Sequence, residues 1–276
     1  MIITGKISEV REFVAGKGGR VGFVPTMGAL HPGHISLVRR CRDENAVSIA
    51  SIFVNPTQFN DPKDLLKYPR TPESDHRMLE DAGLDLLFEP QVAEIYPQEN
   101  RIEMDFGPLE RVMEGAHRPG HFNGVVTVVS RLFDIVRPDK AYFGEKDFQQ
   151  LAIIREWARR VDFPVEIIGC PTLRESDGLA MSSRNIHLSP AERAAAPLIY
   201  KALNMAAVAI RSSPVSIVAG LVRDMIESFS GFKVQYIEFV DSNTLQPIEQ
   251  YIPGREQRAC IAVLTSSTRL IDNIAL

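Results

Sequence analysis

Short apolar runs that alternate with amphipathic segments constrain the fold of this chain more than any other feature. The runs occur at residues 21–24, 46–56, 84–90, 141–144 and 165–171. Apolar residues recur at helical spacing among them, at residues 35–41, 124–136 and 147–161. Parallel strands that are buried on both faces have nearly continuous apolar sequences, and helices cover those faces. The pattern therefore predicts an α/β fold, a Rossmann-like doubly wound parallel sheet.

The chain from about residue 175 onward has a different pattern, with helices first and strands last. Residues 189–192 form a capping-box sequence with proline at the first helical position, which predicts one helix running toward Arg211. A second helix is predicted to open at residues 213–214, and strands at 233–241 and 258–265. This order of elements is typical of a smaller C-terminal α+β domain. The two predicted domains are residues 1–174 and 175–276.

The composition narrows the classes of function. The 276 residues carry 31 basic and 35 acidic side chains, a formal net charge of -4, which does not favour a nucleic-acid or membrane surface. Three scattered cysteines, Cys41, Cys170 and Cys260, do not form a disulfide framework and indicate a reducing compartment. The sequence shows no secretory leader and no apolar run of about 18 residues. We therefore predict a cytoplasmic protein without membrane or nucleic-acid partners.

The loop after the first buried strand, "PTMGALHPGH" at residues 25–34, is chemically unusual. Ligands of doubly wound sheets bind beyond the carboxyl ends of the strands, so this loop lies at the expected place. Gly28 and Gly33 allow close approach of a ligand to the backbone, and Pro32 suits the first turn of a helix. His31 and His34 then share one helix face near an N-terminus that favours anions. The loop predicts a phosphate site, and surface histidines on an ordinary turn are the alternative.

Other phosphate and metal motifs do not fit. The "GKGGR" stretch at residues 16–20 lacks the spacing and the final Ser or Thr of a P-loop, and no G-x-G-x-x-G follows a predicted strand. A zinc site at His34 and Cys41 is rejected, because seven helical residues separate them by about 10.5 Å along the axis, whereas zinc–ligand bonds are about 2 Å long.

Two further loops carry groups that suit phosphate. "FGEKD" at residues 143–147 follows a predicted strand, and its Gly144 and Lys146 offer close approach and a point charge. "AMSSRN" at residues 180–185 offers two hydroxyls and a guanidinium. A solvated charge cluster and an ordinary serine-rich loop are the alternatives.

The H-x-G-H pattern resembles the HIGH motif of nucleotidyltransferases and class I aminoacyl-tRNA synthetases. Six more stretches follow in order: "SIFVNPTQF", "YPRT", "RPGHFNGV", "AYFGEKDFQQL", "GLAMSSRN" and "TRLIDN". Together they resemble the pantothenate synthetase (pantoate–β-alanine ligase) family over most of the chain. The resemblance implies that ATP and pantoate form pantoyl adenylate and pyrophosphate, after which β-alanine attacks the adenylate to give pantothenate and AMP. It also implies Mg²⁺, a homodimer and a place in coenzyme A biosynthesis.

The resemblance also implies roles for individual residues. His34 matches the family's proton donor, and His31 and Lys146 are candidate catalytic residues beside it. The residues that match ATP-binding positions are Met27, Gly28, Ala29, Leu30, His31, Pro32, Gly33, His34, Gly144, Glu145, Lys146, Asp147, Leu173, Met181, Ser182, Ser183 and Arg184.

The acyl and amine substrates are assigned to amide side chains. Gln58 and Gln150 match pantoate-binding positions, and Gln58 is also implied for β-alanine. Asp75 is a candidate ligand of Mg²⁺. Pro25, Met27 and Phe59 could pack against the methyl groups of pantoate, and Arg118 and His121 could add to the pocket or to a dimer contact.

Two other functions are compatible with the HIGH-type loop. A nucleotidyltransferase that makes a dinucleotide would need a second base-binding pocket and no amine. A catalytically inactive regulator would bind ATP without exchanging pyrophosphate. A tRNA synthetase is excluded, because the sequence has no anticodon-binding extension or basic domain.

Overall fold

The computed structural model describes residues 1–59, 62–98 and 102–276, and it divides into two compact units. Unit 1 comprises Met1–Phe106, Arg118–Glu145 and Gln150–Pro171, and unit 2 comprises Gly107–His117, Lys146–Gln149 and Thr172–Leu276. The division of function between domains 1–174 and 175–276 stays a prediction.

Unit 1 is built on a parallel sheet, as the alternating apolar runs predicted. Among the described residues it has six strands: β1 (Ile2–Thr4), β2 (Val21–Thr26), β3 (Val47–Ile52), β4 (Leu86–Phe88), β5 (Lys140–Gly144) and β6 (Glu166–Cys170). Their order across the sheet is β1-β4-β3-β2-β5-β6, and each neighbouring pair is parallel. The predicted doubly wound α/β class is confirmed.

Helices cover both faces of this sheet. The helices that begin in unit 1 are α1 (Ile7–Gly16), α2 (Pro32–Glu44), α3 (Pro62–Lys67), α4 (Pro72–Asp81), α5 (Val92–Ile95) and α7 (His121–Val136), and α8 (Phe148–Arg160) lies mostly in it. Neighbouring strand residues point to opposite faces. In β2, Val24 packs in a cluster with Val38 of α2 and Leu79 of α4. Phe23 meets the ring of Phe133 of α7, with ring centroids 6.2 Å apart. Both faces of the sheet are therefore buried.

The strand order places the switch point of the sheet between β2 and β5. From β2 the chain moves outward through β3 and β4 on one side, and it later returns to add β5 and β6 on the other. Connections on opposite sides leave a crevice at the carboxyl ends of the two central strands, where ligands bind in folds of this kind. The chain leaves β2 at Thr26 and β5 at Gly144. The loop at residues 27–31 and the segment from Gly144 thus begin at the switch point.

Unit 2 is built on an antiparallel sheet. Within the described part of the chain this sheet has three strands in the order β7 (Lys233–Asp241), β8 (Gln257–Leu264) and β9 (Arg269–Ala275). The helices of this unit are α6 (Met113–His117), α9 (Pro190–Ala195), α10 (Leu198–Ala209) and α11 (Val215–Glu227). Leu203 of α10 and Val222 of α11 are buried in one cluster with Ile261 of β8. Within residues 1–59, 62–98 and 102–276, no helix is both long and apolar enough to cross a bilayer.

The single helix predicted from residue 190 toward Arg211 is wrong, because the chain forms two helices there. α9 ends at Ala195, and α10 begins at Leu198 with Pro197 at its N-cap. Proline has no backbone N–H, so it cannot continue the hydrogen-bond ladder of α9. The second predicted helix is confirmed as α11.

The predicted capping box at the start of α9 is confirmed, and its carboxylate also holds a distant loop. Glu192 is buried, and it accepts hydrogen bonds from the Ser189 N–H and from the N–H and hydroxyl of Ser266, each at 2.8 Å. The Ser267 hydroxyl donates to the same carboxylate at 3.0 Å. These donors, the Ser189 N–H first, hold the pKa of Glu192 well below its ordinary value of 4.5.

We expect Glu192 to make the unfolding free energy depend on pH in the acid range. Because its folded-state pKa is lowered, its contribution is complete above about pH 4.5 and is lost as the pH falls below that value. Glu192→Gln should be less stable than wild type at pH 7, and this difference should shrink toward pH 3. Urea unfolding followed by circular dichroism from pH 3 to 7 measures the difference. A difference in unfolding free energy that stays constant from pH 3 to 7 would contradict this role of Glu192.

Candidate active site

The H-x-G-H loop turns sharply after β2 and places both imidazoles at the start of α2. Gly28 has φ +80° and Ala29 has φ +49°, so two successive residues lie in the left-handed region that favours glycine. His31 is the N-cap of α2, and its backbone carbonyl accepts the N–H of His34 at 2.8 Å. In return the His34 Nδ1 accepts the His31 N–H at 3.4 Å, and the two ring centroids are 4.0 Å apart. The two histidines that the sequence singled out are therefore adjacent.

Asp75 of α4 anchors this loop. Its Oδ2 accepts the Ala29 N–H and its Oδ1 accepts the Leu30 N–H, both at 2.8 Å, and the Thr71 hydroxyl donates to Oδ1 at 2.9 Å. Asp75 is only 2% exposed. A side chain at Gly28 would lie 3.2 Å from Oδ2, so the loop passes close to the carboxylate. The role of Asp75 as a ligand of Mg²⁺ stays a prediction. The sequence analysis did not predict its hydrogen bonds to the loop.

The amide of Gln58 is oriented by Asn55, which the sequence analysis did not single out. The Asn55 Nδ2 donates to the Gln58 Oε1 at 3.1 Å and to the carbonyl of Gly124 at 3.1 Å. The Tyr96 hydroxyl donates to the Asn55 Oδ1 at 2.9 Å, and Asn55 is 1% exposed. The Gln58 Nε2 lies 2.9 Å from the Met27 sulfur, so two predicted substrate-binding residues are in contact. Asn before Pro is a turn signal, and this was the one clue available in the sequence.

His121 holds the backbone of Gln58 and is itself held by Arg118. The His121 Nδ1 lies 2.9 Å from the Gln58 carbonyl oxygen, and the Arg118 Nη1 lies 3.0 Å from the His121 Nε2. A guanidinium only donates, so Nε2 accepts and Nδ1 carries the proton that the carbonyl receives. α7 also approaches closely here, because a side chain at Gly124 would lie 2.5 Å from the Thr57 carbonyl oxygen. Arg118 and His121 therefore help to hold the backbone of Gln58 in place.

Phe59 and Gln150 are two further predicted substrate-binding side chains of unit 1. Phe59 packs edge-on against Tyr68, with ring centroids 5.8 Å apart. Gln150 lies in the first turn of α8 and is half-buried. Space around Gly144 is open, because a side chain there would meet no atom within 4 Å. Backbone at the end of β5 is thus accessible.

Unit 2 carries the predicted ATP-binding residues Lys146, Asp147, Leu173, Met181, Ser182, Ser183 and Arg184, whereas Glu145 is the last residue of its segment of unit 1. The Lys146 Nζ lies 3.3 Å from the Asp147 carboxylate oxygens. Met181 and Leu173 are joined by a backbone hydrogen bond of 3.0 Å, so two predicted nucleotide contacts lie side by side. The Ser182 hydroxyl accepts the Arg184 N–H at 3.3 Å and caps the short 3-10 helix Ser183–His187. The "MSSR" stretch is thus a capped turn that begins a helix.

The described part of the chain shows no cluster of side chains that could form a metal site. Within residues 1–59, 62–98 and 102–276, no three His, Cys, Asp or Glu side chains are placed to hold one metal ion together. Asp75 directs both oxygens to backbone N–H groups, and the Asp147 carboxylate faces Lys146.

A doubly wound parallel sheet with a crevice at its switch point is typical of α/β proteins that bind nucleotides. The family model described as Pantoate-beta-alanine ligase matches residues 2–275. The chain belongs to this family of ligases.

Relatives and solved structures agree with this assignment. The pantothenate synthetase of Bacteroides thetaiotaomicron is 54% identical over 258 residues, which are 94% of this chain and 92% of that protein. The crystal structure of pantothenate synthetase from Thermus thermophilus superposes with a TM-score of 0.93 at 45% identity, covering 99% of both chains. Pantoate-beta-alanine ligase from Francisella tularensis, complexed with beta-gamma ATP and beta-alanine, has a TM-score of 0.84 at 36% identity. The match covers 97% of that protein and 100% of this chain.

Proposed function

We propose that this chain condenses pantoate with β-alanine at the expense of ATP through a pantoyl-adenylate intermediate. The observation that carries the proposal is the pair of adjacent imidazoles, His31 and His34, held at the switch point of the sheet. A carboxylate is a poor electrophile, because its oxygen is a poor leaving group. Adenylation joins that oxygen to the α-phosphate and so makes it part of a good leaving group, and it requires stabilisation of charge that develops on the α-phosphate.

Two displacements complete the proposed reaction. A pantoate carboxylate oxygen attacks the α-phosphorus of ATP, and the bond to the β-phosphate oxygen breaks to release pyrophosphate. The neutral amine of β-alanine then attacks the acyl carbon of the adenylate. The bond between the acyl carbon and the bridging oxygen breaks, and AMP leaves with that oxygen. The nitrogen loses a proton, and pantothenate is formed. Neither displacement needs a side-chain nucleophile, so the protein contributes orientation and charge stabilisation.

The hydrogen bond within the H-x-G-H loop supports a donor role for His34. Its Nδ1 accepts the His31 N–H, so a neutral His34 carries its proton on Nε2. We assign this N–H, together with the side chains of His31 and Lys146, to the phosphate oxygens of the transition state. The residues that we propose bind ATP are residues 27–34, 144–147, Leu173 and 181–184.

The contacts of Gln58 support a role in binding the acid. Because Asn55 donates to the Gln58 Oε1, the amide is fixed with its Nε2 directed toward Met27. An amide nitrogen donates, and this suits the carboxylate and hydroxyl groups of pantoate. We assign pantoate to Gln58 and Gln150, and β-alanine to Gln58 in the second displacement.

We propose that Mg²⁺ enters the site together with ATP, because this ion keeps most of its waters and binds proteins mainly through substrate phosphates. A homodimer and a cytoplasmic location are also proposed, following the family resemblance. All three cysteines are buried and form no disulfide, which supports a reducing compartment.

Exchange of labelled pyrophosphate into ATP tests the proposed intermediate. We expect exchange with pantoate, ATP and Mg²⁺, and no requirement for β-alanine, because the first displacement is reversible without the amine. Exchange that appears only with β-alanine would overturn the adenylate. The absence of exchange despite ATP binding would indicate a regulator, and exchange with a nucleotide monophosphate instead of pantoate would indicate a dinucleotide-forming enzyme.

A further inference from the structure

The "TRLIDN" stretch at residues 268–273 has no role in the proposed reaction, yet the structure gives it specific contacts. It enters β9 in unit 2. Asp272 and Asn273 are 5% and 4% exposed, which is unusual for an acid and an amide. Buried polar groups persist when partners satisfy them. Each of these two side chains has a partner in one of the two segments of unit 2 that we assign to ATP.

Asn273 holds the backbone of Lys146. The Asn273 Nδ2 donates to the Lys146 carbonyl oxygen at 2.9 Å. Its Oδ1 accepts from the Arg258 Nη1, and the Arg258 guanidinium lies over the Phe148 ring, 4.1 Å from the centroid. The segment that presents the Lys146 ammonium is therefore fixed at its carbonyl and at the ring two residues later.

Asp272 holds the loop that begins at Leu173. Its carboxylate receives two hydrogen bonds from Arg174, at 2.7 and 3.0 Å. The same guanidinium donates to the Gly178 carbonyl at 3.2 Å and lies over the Tyr200 ring, 3.8 Å from the centroid. Arg174 also pairs as a β-bridge with Ala180, directly before Met181. The Asp272–Arg174 pair thus fixes both ends of the loop from Leu173 to Met181.

We propose that Asp272 and Asn273 are positioning residues that set Lys146 and the Leu173–Met181 loop in register for the nucleotide. The proposal rests on the proposed function, because it assumes that these two segments bind ATP. One dipeptide on a strand of the antiparallel sheet contacts both segments, so a shift of either is transmitted to the other. Neither side chain needs to touch the substrate for this role.

Isosteric substitutions test the proposal. Asn273→Asp keeps an oxygen for Arg258 but places a carboxylate oxygen against the Lys146 carbonyl. Asp272→Asn removes the charge that holds Arg174. We expect each to lower kcat/KM for ATP in pantoate-dependent pyrophosphate exchange by roughly 10- to 100-fold, the effect of losing a hydrogen bond that orders a site. The KM for pantoate should change less than about twofold, because both side chains that we assign to pantoate, Gln58 and Gln150, lie in unit 1.

Arg269→Lys is the matched control on the same strand. Arg269 donates to Glu114 at 2.5 and 2.7 Å and to the Gln235 Oε1 at 2.7 Å, and neither partner belongs to an ATP segment. Breaking this pair should lower the thermal midpoint and leave kcat/KM for ATP within about threefold of wild type. If Asn273→Asp fails to fold by circular dichroism, Asn273→Ala replaces it with the same thresholds.

The outcomes separate the two proposals. Wild-type protein without pantoate-dependent exchange would overturn the proposed function itself. Normal wild-type exchange, with both positioning variants within threefold of wild type for ATP, would overturn only the positioning role. An equal loss in Arg269→Lys, or an equal rise in the KM for pantoate, would show a general structural effect and also overturn it.

Discussion

Replacing His34 or Lys146 with alanine is expected to lower turnover by roughly two to four orders of magnitude, the range for loss of a donor that stabilises transition-state charge. His34 presents its Nε2 proton because its Nδ1 already accepts the His31 N–H. Lys146 contributes an ammonium from a side chain that is mostly buried beside Asp147. Because both groups are proposed to act on charge that develops during displacement, kcat should fall more than KM changes. Steady-state formation of pantothenate measures both parameters.

Controls of the same chemistry are available in unit 1. His76 pairs with Glu89 at 2.8 Å, and Lys140 pairs with Glu44 at 3.1 Å, so both side chains have structural partners of their own. His76→Ala and Lys140→Ala should keep kcat within about threefold of wild type, because partly exposed side-chain pairs contribute little. Losses below threefold in both His34→Ala and Lys146→Ala would show that the site is misplaced.

The sheet was predictable because its central strands are continuous apolar runs. β2 and β3 are buried on both faces, so their sequences exclude a solvent-facing strand. β1 was missed, because it has three residues and its Ile2 is 52% exposed. β9 was missed for the opposite reason, since Asp272 and Asn273 are buried polar residues that interrupt its apolar pattern. Their burial depends on partners that are distant in sequence.

The candidate site likewise contains some features that the sequence predicts and others that it does not. The adjacency of His31 and His34 follows from their spacing at a helix start, so the sequence was sufficient to predict it. The anchors of the site lie far from the residues they hold, for example Asp75, which is 46 positions from Ala29. No periodicity or motif spacing reports such a contact, because only the folded chain brings α4 beneath the loop after β2.

Asp75→Ala is expected to lower kcat/KM for ATP by roughly 100- to 1000-fold. The substitution leaves the buried N–H groups of Ala29 and Leu30 without their acceptor, and each such loss costs about 1–3 kcal/mol. Ala29 has φ +49°, an uncommon conformation for a residue with a side chain, so the loop has little tendency to keep its shape without the carboxylate. ATP-dependent pyrophosphate exchange, with thermal unfolding in parallel, measures the effect on the site and on the fold.

Asp75→Asn and a neighbouring acid distinguish anchoring from magnesium binding. Asn keeps one acceptor oxygen, so we expect a smaller loss, roughly tenfold, and an unchanged half-saturating concentration of Mg²⁺. A loss of activity that excess Mg²⁺ reverses would instead identify Asp75 as a ligand of the ion. Asp81→Ala removes an exposed acid from the same helix α4 and should leave exchange within about threefold of wild type. Because Asp75 reaches the loop through two backbone N–H groups, the anchoring role requires the order Ala, Asn, wild type in rising activity, whatever the metal concentration.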